Sequence, residues 1–118
     1  MTVPLADIGF THDGDVVVAS VRGEVDMSNA GELGEAIARR LTNETHALVV
    51  DLTRCQYLDS AGIHILYDLQ ERLRNRGQDI RVVIPPGATI AEALRLADVP
   101  RAIGAAETVD AALVSLRG

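Results

Sequence analysis

The chain has 118 residues, of which 47% are hydrophobic and 24% charged, and its formal net charge is −6. These totals predict a single folded domain over residues 1–118, and the acidic balance argues against nucleic acid as a ligand. All 11 basic residues are arginine, which excludes the lysine-dependent sites of P-loop proteins, Schiff-base enzymes and phosphoaspartate receivers.

The compartment is predicted from the cysteine content and from the N-terminus. Cys55 is the only cysteine, so no internal disulfide can form, and a reducing cytoplasm is the simplest location. Residues 1–10 lack the basic-then-apolar layout of a signal peptide. No apolar run approaches the ~18 residues needed to span a bilayer. We therefore expect a cytoplasmic protein without a membrane partner.

The N-terminal third is predicted to form a β-hairpin followed by a helix. Residues 5–11 and 16–22 have strand character, and Asp13-Gly14 between them is typical of a two-residue turn that needs positive φ. Gly23–Ser28 is then expected to leave the second strand as a loop. Asn29, or Ser28 before it, is the candidate helix cap, and Glu32 three residues beyond Asn29 suggests a capping box.

The centre of the chain is predicted to form a buried strand, a short polar turn and a long helix. The strand covers residues 48–52, where Asp51 is interpreted as closing the strand and accepting backbone N–H bonds. After the turn, Asp59 or Ser60 is the expected cap of an amphipathic helix. Gly77 is the expected residue at which that helix stops.

The last third continues the alternation of strands and helices. A β-branched strand over 80–84 is ended by Pro85-Pro86-Gly87. A short helix over 90–97, a brief strand over 102–104 and a final helix capped by Thr108 follow. The whole pattern predicts an α/β domain with a four- to five-stranded mixed sheet, an N-terminal hairpin, parallel βα units and about four helices.

The surrounding sequence makes Ser60 the main candidate for a functional residue. A serine hydrolase would need a glycine two residues before it, where Leu58 stands, and no motif places a histidine as base. Paired histidine or cysteine ligands for a metal are absent, as is a glycine-rich dinucleotide turn. Two interpretations remain open from the residues alone: a simple helix cap, or a serine phosphorylated by another protein.

Two motifs resemble those of one family. The stretch from Asp51 to Ile63 resembles the signature of STAS domains, in particular bacterial anti-sigma factor antagonists, and Gly23-Glu24-Val25-Asp26 resembles their upstream Gly-Glu-Leu-Asp element. The order of elements agrees over nearly the whole chain. Many members have a second serine where this chain has Ala61, which leaves Ser60 as the matching acceptor.

The resemblance implies a regulatory binding protein with no catalysis and no cofactor of its own. Its partner would be an anti-sigma factor serine kinase with a histidine-kinase-like ATP-binding fold, which phosphorylates Ser60 and thereby ends the binding. The unphosphorylated antagonist would bind that kinase and free a sigma factor, and a serine phosphatase is a further implied partner. The residues implied in partner binding are Glu24, Asp26, Asp59, Ser60, Ala61, Gly62 and Ile63.

Two other functions stay open beside this one. The first is a STAS-type scaffold subunit of a transporter or stress-signalling complex, in which Ser60 is never phosphorylated. The second is an enzyme or nucleotide-binding module, against which the lack of a phosphate-cradling loop weighs. Near the motif, Cys55 is interpreted as a small hydrophobic residue, His64 as a solvated side chain within reach of a phosphate, and Tyr67 as a surface or interface residue.

Overall fold

The computed structural model describes residues 5–117, which form one five-stranded mixed sheet with helices on both faces. The strands stand in the sheet in the order in which they occur in the chain. The first two pair antiparallel and every later neighbour pairs parallel. The strands are β1 (Ala6–Asp13), β2 (Val16–Val25), β3 (Ala47–Leu58), β4 (Asp79–Val83) and β5 (Ala105–Ala106).

The helices divide unequally between the two faces of the sheet. The larger apolar cluster joins one face to three helices and to a π-helical turn, and the smaller cluster joins the other face to the last helix. On the first face lie α1 (Ala30–Ala38), α2 (Ser60–Arg74), α3 (Ala91–Leu96) and the π-helical turn Pro100–Gly104; on the second lies α4 (Val109–Arg117). The predicted α/β class and mixed sheet are confirmed.

Strand β3 is the centre of the core because both of its faces are covered. Leu48 and Val50 point into the larger cluster, whereas Ala47 and Val49 point into the smaller one, and all four are at most 1% exposed. A strand buried on both sides has a continuous apolar run rather than an alternation. That is why residues 47–50 carry no polar side chain.

The local turn predictions at glycine are confirmed. Gly14 has φ +60° in the hairpin turn, and Asp13 pairs with Val16 across it. Gly77 has φ +70° after α2, and the next N–H, that of Gln78, donates to the carbonyl of Leu73. Both positions need the left-handed conformation that glycine adopts without steric cost.

Strands β2 and β3 are longer than predicted, so the two expected loops are largely strand. β2 continues to Val25 and β3 to Leu58, with Gly23, Glu24 and Val25 paired to Cys55, Tyr57 and Leu58. The pairing contains irregularities after Ser20 and after Gly23, and such bulges break the period-2 alternation. The polar residues between the buried Leu52, Cys55 and Leu58 therefore looked like a turn.

Two further predictions were wrong in detail. Asn29 stands at the N-cap position of α1 but its side chain accepts no N–H of the helix, so the capping box with Glu32 is not formed. The last strand is β5 at Ala105–Ala106, whereas the predicted residues 102–104 belong to the π-helical turn. The predicted cap of α4 is confirmed, since the Thr108 hydroxyl accepts from the N–H of Ala111 at 3.0 Å.

Candidate functional site

The start of α2 forms an exposed corner organised by Asp59. Its carboxylate Oδ1 accepts from the backbone N–H groups of Ala61 at 2.9 Å and Gly62 at 3.3 Å, so Asp59 is the N-cap. Its own N–H donates to the carbonyl of Val25 at 3.2 Å. The beginning of α2 is thereby tied to the end of β2, and the expectation of a cap at this position is confirmed.

Ser60 is the first residue of α2 and lies on the surface of this corner. Within residues 5–117 its hydroxyl makes no hydrogen bond, because the capping position belongs to Asp59. An exposed hydroxyl at the first helical residue is approachable from solvent, and its modification would break no hydrogen bond within the described fold. Chemically it can act as an acceptor of a group delivered by another protein.

The residues after Ser60 show how the corner is packed. Gly62 is buried, and a Cβ there would lie 2.5 Å from Leu58 Cδ1 and 3.0 Å from Val25 Cγ1. The absence of a side chain thus lets α2 start directly against β2 and β3. Ala61 and Ile63 are half-buried. Among the implied partner-binding residues of α2, only Ser60 is exposed.

The turn after β2 carries the second half of the motif. Asp26 Oδ1 accepts from the Ser28 hydroxyl at 2.5 Å and from the Ser28 N–H at 2.9 Å. These two bonds hold the pKa of the Asp26 carboxyl below its usual value, and the bond from the Ser28 hydroxyl has the larger effect. Asn29 closes the turn from the other side: its Oδ1 accepts from the Asp26 N–H and its Nδ2 donates to the Glu24 carbonyl.

The structure brings the two motifs together, as expected from the parallel pairing of their strands. Glu24 pairs with Tyr57 in register, and the Val25 carbonyl accepts a hydrogen bond from the N–H of Asp59. Glu24, Asp26 and Asp59 therefore place three carboxylates at the end of the sheet where Ser60 is exposed. Negative charge at this end of the sheet favours a partner surface that carries basic groups.

Exposed apolar side chains surround the same end of the sheet and were not predicted from the sequence. Met27 is 84% exposed in the turn between β2 and α1, Leu5 is 51% exposed beside Glu24, and Tyr57 is 49% exposed on β3. Leu5 is placed there by the bond from the Glu24 N–H to its carbonyl. The one available signal was Met27, an apolar residue between Asp26 and Ser28.

Three neighbours of the motif have definite roles. Tyr67 is half-buried and its hydroxyl donates to the Ala97 carbonyl at 2.6 Å, so it joins α2 to the end of α3. Cys55 is buried, and burial raises the pKa of its thiol, which confirms its interpretation as a core residue. Asp51 accepts from the Thr53 N–H, as predicted, although β3 continues beyond it.

Along the exposed face of α2, His64 stands four residues after Ser60. Its Nε2 lies 3.5 Å from Asp68 Oδ2, another four residues further on, and both side chains are mostly exposed. Ser60, His64 and Asp68 thus follow one line on the helix surface.

Metal-binding and membrane-spanning features are absent from residues 5–117. This part of the chain has no cluster of three or more histidine, cysteine or acidic side chains arranged to hold a metal ion. It also has no helix with the length and apolar character that crossing a membrane requires.

Comparison with known proteins places the fold and the motifs in a family. The family described as "Mlab, STAS domain" matches residues 8–115. An anti-sigma-F factor antagonist of Mycobacterium tuberculosis, RsfB, is 32% identical over 119 aligned positions that cover 100% of this chain and 91% of the relative.

Solved structures agree with this assignment. The crystal structure of an anti-sigma factor antagonist from Mycobacterium paratuberculosis superposes with a TM-score of 0.86 at 29% identity, covering 100% of both chains. The unphosphorylated form of the anti-sigma factor antagonist SpoIIAA shares the fold, with a TM-score of 0.75 at 16% identity over 95% of this chain and 97% of that one. Because the family match covers nearly the whole length of this chain, the chain belongs to the STAS domain family.

Proposed function

We propose that this protein is an anti-sigma factor antagonist controlled by phosphorylation of Ser60. In its unphosphorylated form it binds an anti-sigma factor serine kinase in the cytoplasm, and a sigma factor is released. The observation that carries the proposal is the exposed, unbonded hydroxyl of Ser60 at the start of α2. Whole-length similarity to relatives named as anti-sigma factor antagonists supports it.

The chemical step is a phosphoryl transfer in which this chain supplies only the acceptor. Ser60 Oγ attacks the γ-phosphorus of an ATP held by the kinase, forming the Oγ–P bond. The bond from that phosphorus to the β–γ bridging oxygen breaks, ADP leaves, and the hydroxyl proton passes to a base of the kinase or to water. A serine phosphatase reverses the modification when water attacks the phosphorus, which restores the hydroxyl and releases inorganic phosphate.

The modification is expected to change binding rather than folding. A phosphoserine adds about −1.5 to −2 charges at neutral pH, at the positive end of α2, where negative charge is favoured. The same charge would face the partner next to the carboxylates of Glu24, Asp26 and Asp59. An unpaired buried charge in an interface typically costs about 2 to 5 kcal/mol of binding free energy. A loss of that size is enough to dissociate a complex of moderate affinity.

The apolar side chains at this corner supply the attractive part of the contact. Met27 follows Asp26 in the chain and Tyr57 pairs with Glu24 across the sheet, and both are large, exposed side chains. Interface affinity is usually concentrated in such anchors. The partner surface is therefore expected to combine apolar hollows with a basic rim. Val114 on α4 is a matched control, since it is 65% exposed but lies on the opposite face of the sheet.

Binding tests the proposal with four proteins immobilised in turn: wild type, the protein with phosphoserine incorporated at position 60, Met27→Ser and Val114→Ser. Extract of the source bacterium is passed over each, and retained proteins are identified by mass spectrometry. An ATP-dependent serine kinase should be retained by wild type and Val114→Ser, weakly by Met27→Ser, and not by the phosphoserine form. Equal retention by the phosphoserine form would contradict the switch and favour a constitutive STAS scaffold subunit.

A further inference from the structure

The exposed face of α2 carries a histidine positioned to receive the charge that phosphorylation would add. His64 follows Ser60 by four residues, and Asp68 follows His64 by four. The His64 Nε2 to Asp68 Oδ2 distance is 3.5 Å, and the two side chains are 75% and 57% exposed. Residues four apart on a helix have Cβ atoms about 5 to 6 Å from each other. His64 therefore lies between an acidic side chain and the acceptor serine.

Three backbone N–H groups in the first turn of α2 are already occupied. Asp59 Oδ1 takes the N–H groups of Ala61 and Gly62, and the N–H of Ile63 donates to the Asp59 carbonyl. A phosphate on Ser60 would bring three acceptor oxygens to a helix end whose first turn is capped. A side-chain donor on the same face of α2 could bind one of those oxygens.

The remaining basic side chains near this corner are less suited than His64. On α2 the next ones, Arg72 and Arg74, lie in the last turn. On β2, Arg22 is bound to Asp7 at 2.9 Å. On β3, Arg54 is in register with Arg22, before the strand reaches the corner.

Resting on the proposed function, we propose that His64 is a positioning residue for the phosphorylated state. When Ser60 carries a phosphate, the His64 imidazole leaves Asp68 and donates a ring N–H to a phosphate oxygen. The Cα–Cβ bond of a helical residue tilts toward the helix N-terminus, so rotation of the side chain can bring the imidazole from Asp68 to the turn of Ser60. The contact holds the phosphate along the exposed face of α2.

The charges around His64 give this contact a pH dependence. On α2 itself, the Asp68 carboxylate lies 3.5 Å from His64 Nε2, and the N-terminal end of the helix carries positive potential. The charged side chains that line the groove between α1 and α2 are Glu35 on α1 and Asp68, Glu71 and Arg72 on α2. A phosphate near −2 is the largest charge that can be added to this balance. Phosphorylation should therefore favour protonated His64, and the contact should be strongest below neutral pH.

The test uses phosphoserine incorporated at position 60 during translation, so that no kinase is involved. The imidazole titrations of His12, His46 and His64 are followed by NMR in the serine and phosphoserine proteins. The midpoint for His64 should rise by about half a pH unit or more, as expected for a new opposite charge within a few ångströms. His12 and His46 lie on β1 and before β3 and serve as internal controls. An equal change at all three histidines, or no change at His64, would overturn the proposal.

A second readout observes the phosphate itself. In the phosphoserine protein, His64→Gln should raise the midpoint of the phosphate titration followed by 31P NMR, because a neighbouring cation is lost. His46→Gln is the matched control and should leave that midpoint unchanged. No difference between the two variants would also overturn the proposal. Because the phosphate is installed without a kinase, these results do not depend on whether a kinase modifies Ser60 in the cell.

Discussion

At the scale of single residues, Gly62 is expected to tolerate no side chain. A Cβ would meet Leu58 Cδ1 at 2.5 Å and Val25 Cγ1 at 3.0 Å, and overpacking of this kind typically costs about 1 to 3 kcal/mol. Gly62→Ala should therefore lower the free energy of unfolding, measured in urea, by an amount in that range. Gly31→Ala is the control: its Cβ has nothing within 4 Å, and alanine in α1 should stabilise by up to about 1 kcal/mol. Equal stability of Gly62→Ala and wild type would contradict the packing described for this corner.

The two roles given to Asp59, capping and charge, can be separated by two substitutions. Asp59→Ala removes the acceptor of the Ala61 and Gly62 N–H groups and should lower the free energy of unfolding by about 0.5 to 2 kcal/mol. Asp59→Asn keeps an acceptor oxygen and should stay within a few tenths of wild type. Thermal and urea unfolding of both variants provide the measurement. If asparagine proved as costly as alanine, the carboxylate charge and not the cap would stabilise the start of α2.

The sequence allowed Ser60, Asp59, Glu24 and Asp26 to be proposed as site residues, because the motif residues stand at helix and strand ends with distinctive local chemistry. The exposure of Met27 and Tyr57 was not predicted. Exposure of an apolar side chain depends on which elements cover it, and that information is tertiary. Local patterns report hydrophobicity, not whether a surface remains uncovered.

At the scale of elements, α2 holds α3 and the π-helical turn through polar side chains. Tyr67 donates to the Ala97 carbonyl at 2.6 Å, and Gln70 Nε2 donates to the Ala102 carbonyl at 2.6 Å. Tyr67→Phe should therefore lower the free energy of unfolding by about 0.5 to 1.5 kcal/mol, the usual net value of one hydrogen bond. Tyr57→Phe makes the same change on an exposed ring and should have no measurable effect in the same urea titration. A comparable loss in both variants would exclude the bond to Ala97 as the cause.

The elements themselves were predictable where one local rule dominated. Asp13-Gly14 fixes the hairpin and Gly77 ends α2, because both require a backbone conformation that few residues adopt. The ends of β2 and β3 were not predictable, because they depend on the irregular pairing after Ser20 and Gly23. The capping box failed for a related reason: the Asn29 side chain bonds to Asp26 and Glu24 instead of to its own helix.

At the scale of the whole molecule, acid should destabilise the fold. The pKa of Asp7 is lowered from the ordinary 3.8 by a hydrogen bond from Arg22, that of Asp26 by the Ser28 hydroxyl, and that of Glu92 from 4.5 by Arg95. As pH falls through the ordinary pKa values of these groups, the unfolded chain binds more protons than the folded one. The free energy of unfolding therefore falls as pH falls. Stability from these groups is complete above the ordinary values and is lost as pH drops below them.

Urea titrations between neutral pH and about pH 3 would measure this dependence. The decrease in the free energy of unfolding should be small for each of the three carboxylates, because all three are exposed to solvent. Arg22→Gln removes the partner of Asp7 and should make the loss shallower. A rise in stability on acidification through this range would contradict the expected sign of the dependence.

Whether Ser60 is the acceptor of a regulatory phosphate can be determined by mass spectrometry. Purified wild type and Ser60→Ala are incubated with ATP and extract of the source bacterium, then compared by intact mass and peptide mapping. We expect one phosphate on the wild type, located on the peptide that contains Ser60, and none on Ser60→Ala. A phosphate on another residue would contradict the claim. So would no phosphate on the wild type under conditions in which a control anti-sigma factor antagonist is modified.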